Sequence, residues 1–181
     1  MKQLLLVVDY QKDFVDGALG FAGAEKLDGP IAQKIAAYHA AGHDVAFTMD
    51  THQENYLETQ EGRKLPVPHC LMNSEGWQLY GQTGQAMDKS RDMVVRKPAF
   101  PSLWLGGWLK EQGYDRIELV GLVSYLCVLS NAIVAKGALP EAELVVDAAC
   151  TAGPDPALHH NVLDLMEALQ ITVINREVTT P

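Results

Sequence analysis

Three side chains that could support nucleophilic catalysis lie at or just beyond the ends of three apolar runs. The runs are short and too continuous to alternate, as is typical of parallel strands buried on both faces. The three side chains are Asp9 after the run 4–8, Lys97 at the end of 93–97, and Cys127 shortly after 117–121. Because open α/β sheets place their sites at the carboxyl ends of strands, we expect the acid, the amine and the thiol to meet in one crevice.

Cys127 is the candidate nucleophile. Cysteine attacks as the thiolate, and a nearby cation or a helix N-terminus lowers the pKa of the thiol. Cys127 follows a short bend after a strand, and residues 128–137 are compatible with a helix, so N–H groups of the bend could also form an oxyanion hole. The alternative is a buried structural cysteine, which is our expectation for Cys70 and Cys150.

Asp9 and Lys97 are expected to form a buried pair. Asp9 directly follows five apolar residues, where an unpaired carboxylate would be costly to desolvate. Pro98 restricts the backbone of Lys97 and ends its strand. An ion pair would offset the free-energy cost of burying both charges, and Asp9 could then act as a base for the thiol proton. Alternatively, Lys97 is a solvated strand end and Asp9 an ordinary turn residue.

A second set of polar side chains could bind a metal ion. Asp50 and His52 stand two residues apart on an extended segment, so their side chains point to the same side, and His69 follows later. An acid and two histidines suit a divalent metal with open positions. A carboxylate from the intervening segment could complete the shell: Glu54, Glu58 or Glu61. Unrelated strand-end and loop residues are the alternative, and we expect the other histidines at the surface: His39, His43, His159 and His160.

The remaining sequence describes the elements that would position these groups. Strand-like runs recur at 3–9, 44–49, 93–97, 116–121, 143–147 and 171–175. Helical segments are expected at 24–41, at 103–112 before Gly113, and after an Asp155 N-cap that precedes Pro156. This alternation predicts a three-layer α/β/α fold with a six-stranded, mostly parallel, Rossmann-like sheet. We expect one domain over 1–181, with a metal-binding or substrate-binding insertion at about 50–92.

Composition excludes several classes of function. The chain has 181 residues, 48% hydrophobic and 20% charged, with a formal net charge of −9. Without a basic stripe we expect no nucleic-acid partner. The run 4–8 is too short for a membrane span or a signal peptide, so we expect no membrane partner. Three cysteines at irregular spacing do not suggest a disulfide framework, and a reducing cytoplasm is the expected location.

Taken together, the motifs resemble the isochorismatase-like cysteine hydrolase superfamily, and within it the nicotinamidase branch. The resemblance covers nearly the whole chain. It rests on five stretches: Val8-Asp9-Tyr10-Gln11-Lys12-Asp13-Phe14-Val15, Phe47-Thr48-Met49-Asp50-Thr51-His52, Pro68-His69-Cys70, Lys97 with its proline-aromatic sequel, and Gly121-Leu122-Val123-Ser124-Tyr125-Leu126-Cys127-Val128. The last stretch is similar to the family signature Gly-x-x-Thr-x-x-Cys-Val.

The resemblance implies a mechanism for cleaving a small amide. Cys127 would attack the carbonyl and form a thioester, Asp9 would move the thiol proton to the leaving ammonia, and Lys97 would pair with both. A non-proline cis peptide is expected between Val123 and Ser124, directing the N–H groups of Val123 and Cys127 at the oxyanion.

The resemblance also implies a metal and a substrate. Asp50, His52 and His69 would hold zinc, or else iron or manganese, which would bind the pyridine nitrogen of nicotinamide. The expected ring pocket consists of Phe14, Phe100, Trp104 and Leu122.

Two stretches differ from the family pattern and leave the substrate open. Ser124-Tyr125-Leu126 replaces the usual Thr-Asp-x, and the segment after Lys97 lacks a Tyr-Ser-Ala-Phe sequence. The alternatives are a metal-independent or differently selective amidase of the superfamily, a catalytically silent α/β binding protein, and a redox protein using Cys127. The oligomeric state also stays open, with a homo-oligomer as one alternative.

Overall fold

The structure, a computed structural model, describes residues 1–176. Within this range one sheet is formed by six strands in the order β3-β2-β1-β4-β5-β6, and every neighbouring pair is parallel. The strands are β1 (Gln3–Val8), β2 (Asp44–Asp50), β3 (Met93–Lys97), β4 (Arg116–Leu122), β5 (Glu143–Ala152) and β6 (Thr172–Ile174).

Helices cover both faces of this sheet. One face is covered by α2 (Asp28–Ala40), and the other by α5 (Leu103–Gln112), α6 (Leu129–Ala138) and α7 (Pro156–Ala168). Three shorter helices are α1 (Lys12–Val15), α3 (Gln60–Lys64) and α4 (Gly81–Ala86). The prediction of a three-layer α/β/α fold is confirmed, and the sheet of residues 1–176 is parallel throughout rather than mostly parallel. The predicted domain extends to residue 181, and residues 177–181 lie outside the described part of the chain. None of the helices in residues 1–176 has the length and apolar character that crossing a membrane requires.

The central strand β1 is buried on both faces, which explains its continuous apolar run. Leu5 belongs to a core cluster with Ile31 of α2 on one face. Leu6 belongs to a second cluster with Leu109 of α5 and Met166 of α7 on the other. Burying a side chain of this size contributes about 1.5–3 kcal/mol, so both faces help to fix the strand from which the first site residue extends.

Side chains at the helix ends set where the covering helices start and stop. The Ser102 hydroxyl accepts a hydrogen bond from the N–H of Leu105 and caps α5. Gly113 ends α5 in the left-handed conformation, with φ 65°. The Asp155 carboxylate caps α7 ahead of Pro156, as the sequence predicts.

Strands β1 and β4 approach each other closely at their carboxyl ends. Gly121 pairs with Val8 there and has φ 108°. A Cβ atom on Gly121 would overlap the Val8 carbonyl oxygen, so only glycine fits this position. The close approach brings Asp9, which follows β1, next to the turn that follows β4.

The segment between β2 and β3 folds back over the carboxyl ends of the central strands. The N–H of Lys12 donates to the Gln78 carbonyl at 2.9 Å, and His52 forms a parallel bridge with Leu71. Residues far along the insertion are thereby placed beside the end of β2.

Candidate active site

Asp9 is held at the first turn after β1 with no solvent exposure. Its backbone is left-handed (φ 45°), a conformation that Asp tolerates better than most residues. The Thr48 hydroxyl donates to Asp9 Oδ1 at 2.7 Å, and the N–H of Asp9 donates to the Thr48 carbonyl. The carboxylate is therefore fixed by the neighbouring strand β2.

Lys97 reaches Asp9 across the end of strand β2. Adjacent strands are about 4.8 Å apart, so a side chain on β3 needs a long stem to reach the turn after β1. Lys97 Nζ lies 2.5 Å from Asp9 Oδ2, 3.5 Å from Asp50 Oδ1 and 3.5 Å from Cys127 Sγ, and it donates to the Ala99 carbonyl at 3.1 Å. Only 1% of Lys97 is exposed, so it does not solvate a strand end.

Cys127 lies in a short π-helical turn, Ser124–Val128, between β4 and α6. The Val123 carbonyl accepts hydrogen bonds from the N–H groups of Leu126 and Val128, at 3.0 and 3.2 Å. Cys127 is 5% exposed. The acid, the amine and the thiol predicted from the sequence are thus brought together, while their catalytic roles remain predictions.

The predicted cis peptide lies one residue away from its observed position. We expected it between Val123 and Ser124, and the structure has it between Leu122 and Val123. Strand β4 continues to Leu122, and Ser124 already belongs to the π-helical turn. The cis bond therefore joins the last residue of β4 to Val123, the single residue between the strand and the turn.

Burial dominates the electrostatics of the three groups. It raises the pKa of the Cys127 thiol well above its usual value, the Asp9 carboxylate adds to this, and Lys97 opposes it. Burial also raises the pKa of Asp9 against the opposing effect of Lys97. For Lys97 itself burial disfavours the cation, but its negatively charged neighbours outweigh this and raise the pKa. A thiol with a raised pKa needs a base to form the thiolate, and Asp9 is the candidate.

Asn131 of α6 joins the nucleophile turn to the loop after Lys97. Its side-chain amide donates to the Cys127 carbonyl at 2.8 Å and to the Phe100 carbonyl at 2.9 Å. Its oxygen accepts from the N–H of Ser102 at 3.1 Å. Asn131 is fully buried, so these hydrogen bonds hold the two loops in one arrangement.

The predicted metal ligands also converge, beside Lys97. Asp50 Oδ2 lies 3.0 Å from His52 Nε2 and 3.4 Å from His69 Nε2. Glu61 Oε1 lies 3.7 and 3.8 Å from the same two nitrogens. Ligands about 2.0–2.2 Å from one tetrahedral ion are about 3.3–3.6 Å apart, so the four side chains fit a divalent metal. One ligand atom from each of them lies within 4.8 Å of the others.

Glu61 is the carboxylate of the three candidates that faces this cluster. Its Oε1 atom is buried without a hydrogen-bond partner among residues 1–176. Burial and the nearby Asp50 raise the pKa of Glu61. Glu54 and Glu58 are exposed. A buried, unpartnered carboxylate oxygen among histidines is explained by a cation that it would bind.

Hydrogen bonds from other residues orient the ligands. The Gln11 side chain accepts from the N–H of Asp50 at 2.7 Å and donates to the Asp50 carbonyl at 2.9 Å. His69 Nδ1 lies 2.8 Å from the Val67 carbonyl, so its Nδ1–H donates there and Nε2 stays available to a metal. Burial disfavours ionised Asp50, but the histidines and the lysine around it hold its pKa well below the usual value.

An open cavity of about 330 Å³ adjoins the cluster and the loop after Lys97. Its walls include His52, Glu61, Pro98 and Ala99. None of the four residues predicted for the ring pocket lines it: Phe14, Phe100, Trp104 and Leu122. Their contribution to substrate binding stays a prediction.

Comparison of the sequence with models of protein families identifies the family of this chain. The sequence model of the isochorismatase domain matches residues 3–178. The chain belongs to the isochorismatase family. This confirms the family resemblance that the sequence motifs indicated.

Several relatives within the isochorismatase family are named as nicotinamidases or pyrazinamidases. The nicotinamidase/pyrazinamidase of Mycobacterium tuberculosis is 26% identical over 145 residues, which is 71% of this chain and 75% of the relative. The pyrazinamidase/nicotinamidase of Streptococcus mutans superposes with a TM-score of 0.84 at 26% identity, covering 96% of this chain and all of the other. The pyrazinamidase of Pyrococcus horikoshii, solved in complex with zinc, has a TM-score of 0.84 at 23% identity, covering 97% and 100%.

The expectation that the histidines outside the metal cluster lie at the surface is wrong in part. His160 is exposed as expected. His39 is partly buried and lies 2.9 Å from an Asp92 carboxylate oxygen. His43 is also partly buried, and so is His159, whose Nδ1 lies 2.9 Å from the hydroxyl of Ser124. The sequence carried no local signal of the contacts at His39 and His159, because the partners are 53 and 35 residues away.

Asn131 and Gln11 are the further residues that sequence reasoning missed. Gln11 was part of the motif that indicated the isochorismatase family, and its spacing from Asp9 was the available signal. Asn131 follows Cys127 by four residues, so it lies on the same side of the chain one helical turn later. A buried asparagine at that spacing was the signal that could have identified it.

Proposed function

We propose that this protein hydrolyses nicotinamide to nicotinate and ammonia through a thioester on Cys127. The observation that supports this most strongly is the contact of a buried Asp9–Lys97 pair with Cys127, directly beside a cluster of four metal ligands. Relatives that act on nicotinamide and pyrazinamide confirm the broader prediction of a hydrolase acting on carbon–nitrogen amide bonds.

The first half of the reaction forms the thioester. Asp9 accepts the Cys127 thiol proton as Sγ attacks the amide carbonyl carbon. A raised pKa makes Asp9 a stronger base than an ordinary aspartate. The tetrahedral intermediate then collapses as Asp9 returns the proton to the leaving nitrogen, and ammonia departs.

The second half regenerates the enzyme. Asp9 takes a proton from a water molecule that attacks the thioester carbonyl. As the carbon–sulfur bond breaks, Asp9 returns this proton to Sγ, which restores the Cys127 thiol, and the nicotinic acid released loses its proton to water to give nicotinate. Lys97 stays charged throughout and stabilises whichever of Asp9 and Cys127 is negative.

The turn after β4 supplies the proposed oxyanion hole. We assign this role to the N–H groups of Val123 and Cys127, which flank the first part of the π-helical turn. Preorganised donors of this kind commonly stabilise the transition state by about 3–4 kcal/mol each.

Asp50, His52, Glu61 and His69 would hold the metal, most simply zinc, with iron or manganese as alternatives. When bound, the metal would coordinate the pyridine nitrogen and orient the ring. Each of these four side chains places one donor atom within 4.8 Å of the other three. The adjoining cavity gives access to both the cluster and the loop after Lys97.

The test is ammonia release from nicotinamide by the purified protein, before and after treatment with a chelator. We expect turnover that the chelator abolishes and added zinc, iron or manganese restores. The Cys127→Ala variant, with its metal content checked, is the matched control and should be inactive. Turnover that resists complete metal removal would favour a metal-independent amidase. Failure of the metal-loaded protein on nicotinamide, with cleavage of other small amides, would indicate a different substrate.

A further inference from the structure

The start of the nucleophile turn depends on a side-chain contact from another element. Ser124 is the first residue of the turn, three positions before Cys127, and it is fully buried. The turn is closed by a hydrogen bond from the N–H of Val128 to the Val123 carbonyl five residues earlier, a spacing that is rare in proteins and is often found at functional sites. The position of Ser124 therefore matters for where the Cys127 sulfur lies.

His159 supplies this contact from helix α7. Its Nδ1 lies 2.9 Å from the Ser124 hydroxyl oxygen, across 35 positions of sequence. Burial lowers the pKa of His159, and the neighbouring His160 and Arg176 lower it further. The ring is thus neutral at pH 7, so Nδ1 and the hydroxyl can share one proton in a hydrogen bond.

A second contact links the same two regions of the molecule. The N–H of Asp155, the cap of α7, donates to the Tyr125 hydroxyl at 3.3 Å. The Tyr125 ring packs so closely on Gly153 that a Cβ there would overlap it. At the other end of the turn, Asn131 holds the Cys127 carbonyl. The turn is therefore fixed at both ends by side-chain contacts, and α7 fixes its beginning.

We propose that His159 is a positioning residue for the nucleophile. Through its hydrogen bond to Ser124 it fixes the start of the turn, and so it maintains the contact between Cys127 Sγ and Lys97 Nζ. It does not touch the substrate and acts only through Ser124. This inference rests on the proposed function only where nicotinamide turnover is the measurement.

Three substitutions at His159 separate hydrogen bonding from packing. In Asn the amide atoms are attached to Cγ, as Nδ1 is in histidine, whereas the Gln amide lies one bond further out. We expect His159→Ala and His159→Gln to lower kcat for nicotinamide roughly ten-fold or more with little change in KM, because small displacements of a reacting atom are costly. His159→Asn should recover most of the loss. His160→Ala, at the exposed neighbouring histidine, is the matched control and should keep wild-type kinetics.

A double-mutant cycle identifies the route of the effect. If His159 acts through Ser124, His159→Ala should cost little further activity in a Ser124→Ala protein. Equal losses in both backgrounds would overturn the proposal. So would wild-type kcat in His159→Ala, or equal impairment in His159→Asn and His159→Ala. Circular dichroism and urea unfolding should show that each variant is folded.

Alkylation of Cys127 tests the same inference without substrate. The rate of iodoacetamide labelling at Cys127, followed by peptide mass spectrometry, is measured against pH. A thiol less well held beside Lys97 ionises at higher pH, so the midpoint should rise in His159→Ala and stay unchanged in His160→Ala. An unchanged midpoint in His159→Ala would overturn the proposal. If the wild type fails to cleave nicotinamide but the midpoint shifts as expected, the proposed function fails and the positioning role stands.

Discussion

Replacing Lys97 by methionine removes the ammonium group and keeps an unbranched stem of similar length. In the structure Nζ lies 2.5 Å from Asp9 Oδ2, and neither side chain is exposed. Removing one partner of a buried ion pair costs about 3–5 kcal/mol, because the other charge is left without compensation. Lys97→Met should therefore disturb Asp9 far more than it disturbs packing.

The expected loss of activity follows from this energy. Each 1.36 kcal/mol corresponds to a factor of ten in a protonation equilibrium, so even about 3 kcal/mol favours protonated Asp9 by more than about 100-fold. Protonated Asp9 cannot accept the thiol proton. We expect kcat/KM for nicotinamide to fall by at least about two orders of magnitude, the lower range for a positioned proton-transfer group.

The assay is ammonia release, together with iodoacetamide labelling of Cys127. Both rates should fall in Lys97→Met. Lys97→Arg should recover little, since a planar guanidinium does not occupy the position of a compact ammonium. Lys110→Met, at an exposed lysine of α5, is the control and should lie within about 0.5 kcal/mol of wild type in stability. Near-normal turnover by Lys97→Met would reduce the proposed triad to Asp9 and Cys127.

Three further predictions test neighbouring parts of the site. Glu61→Gln should weaken zinc binding by at least about ten-fold in a competition titration with a chelator. Glu58→Gln, which changes an exposed carboxylate, is the control and should bind zinc as the wild type does. Equal zinc affinities of Glu61→Gln and the wild type would show that Glu61 is not a metal ligand. Catalysis requires ionised Asp9, so kcat/KM should fall as the pH drops through the raised pKa of this carboxyl group, with a midpoint above the ordinary value of 3.8. The metal content of the protein is checked at each pH. A midpoint below 3.8 would contradict the role of Asp9 as the base. Asn131→Asp places a carboxylate oxygen against two carbonyl groups and should lower the free energy of unfolding by about 2 kcal/mol or more in urea, and a change below about 0.5 kcal/mol would show that these hydrogen bonds do not stabilise the fold.

Local patterns in the sequence were enough to predict the fold and the candidate site residues at the strand ends. Continuous apolar runs predicted all six strands to within a few residues, except that β5 continues to Ala152. Its register with β4 shifts between Leu119 and Gly121, and an irregular strand leaves no simple pattern in sequence. The parallel sheet then forced the carboxyl ends together, which is why Asp9 and Lys97 could be paired before their distance was known.

Contacts between distant segments set the limits of sequence reasoning. Nothing in the sequence favoured one of the three glutamates in the insertion as a metal ligand. In the structure, helix α3 is capped by Thr59 and places Glu61 beside the two histidines. His159 had no local feature that distinguished it from His160. The resemblance placed the cis peptide at Val123–Ser124, one residue after the Leu122–Val123 bond where the structure has it, because a family motif does not show where β4 ends.

The central claim, covalent catalysis by Cys127, is tested most directly by trapping the thioester. Metal-loaded protein is mixed with excess nicotinamide, quenched in acid within a single turnover and digested for mass spectrometry. We predict a nicotinoyl group on the peptide that contains Cys127, absent from Cys127→Ala and more abundant when hydrolysis is slowed at low temperature. An acyl group on another residue, or ammonia release at the wild-type rate by Cys127→Ala, would contradict the account.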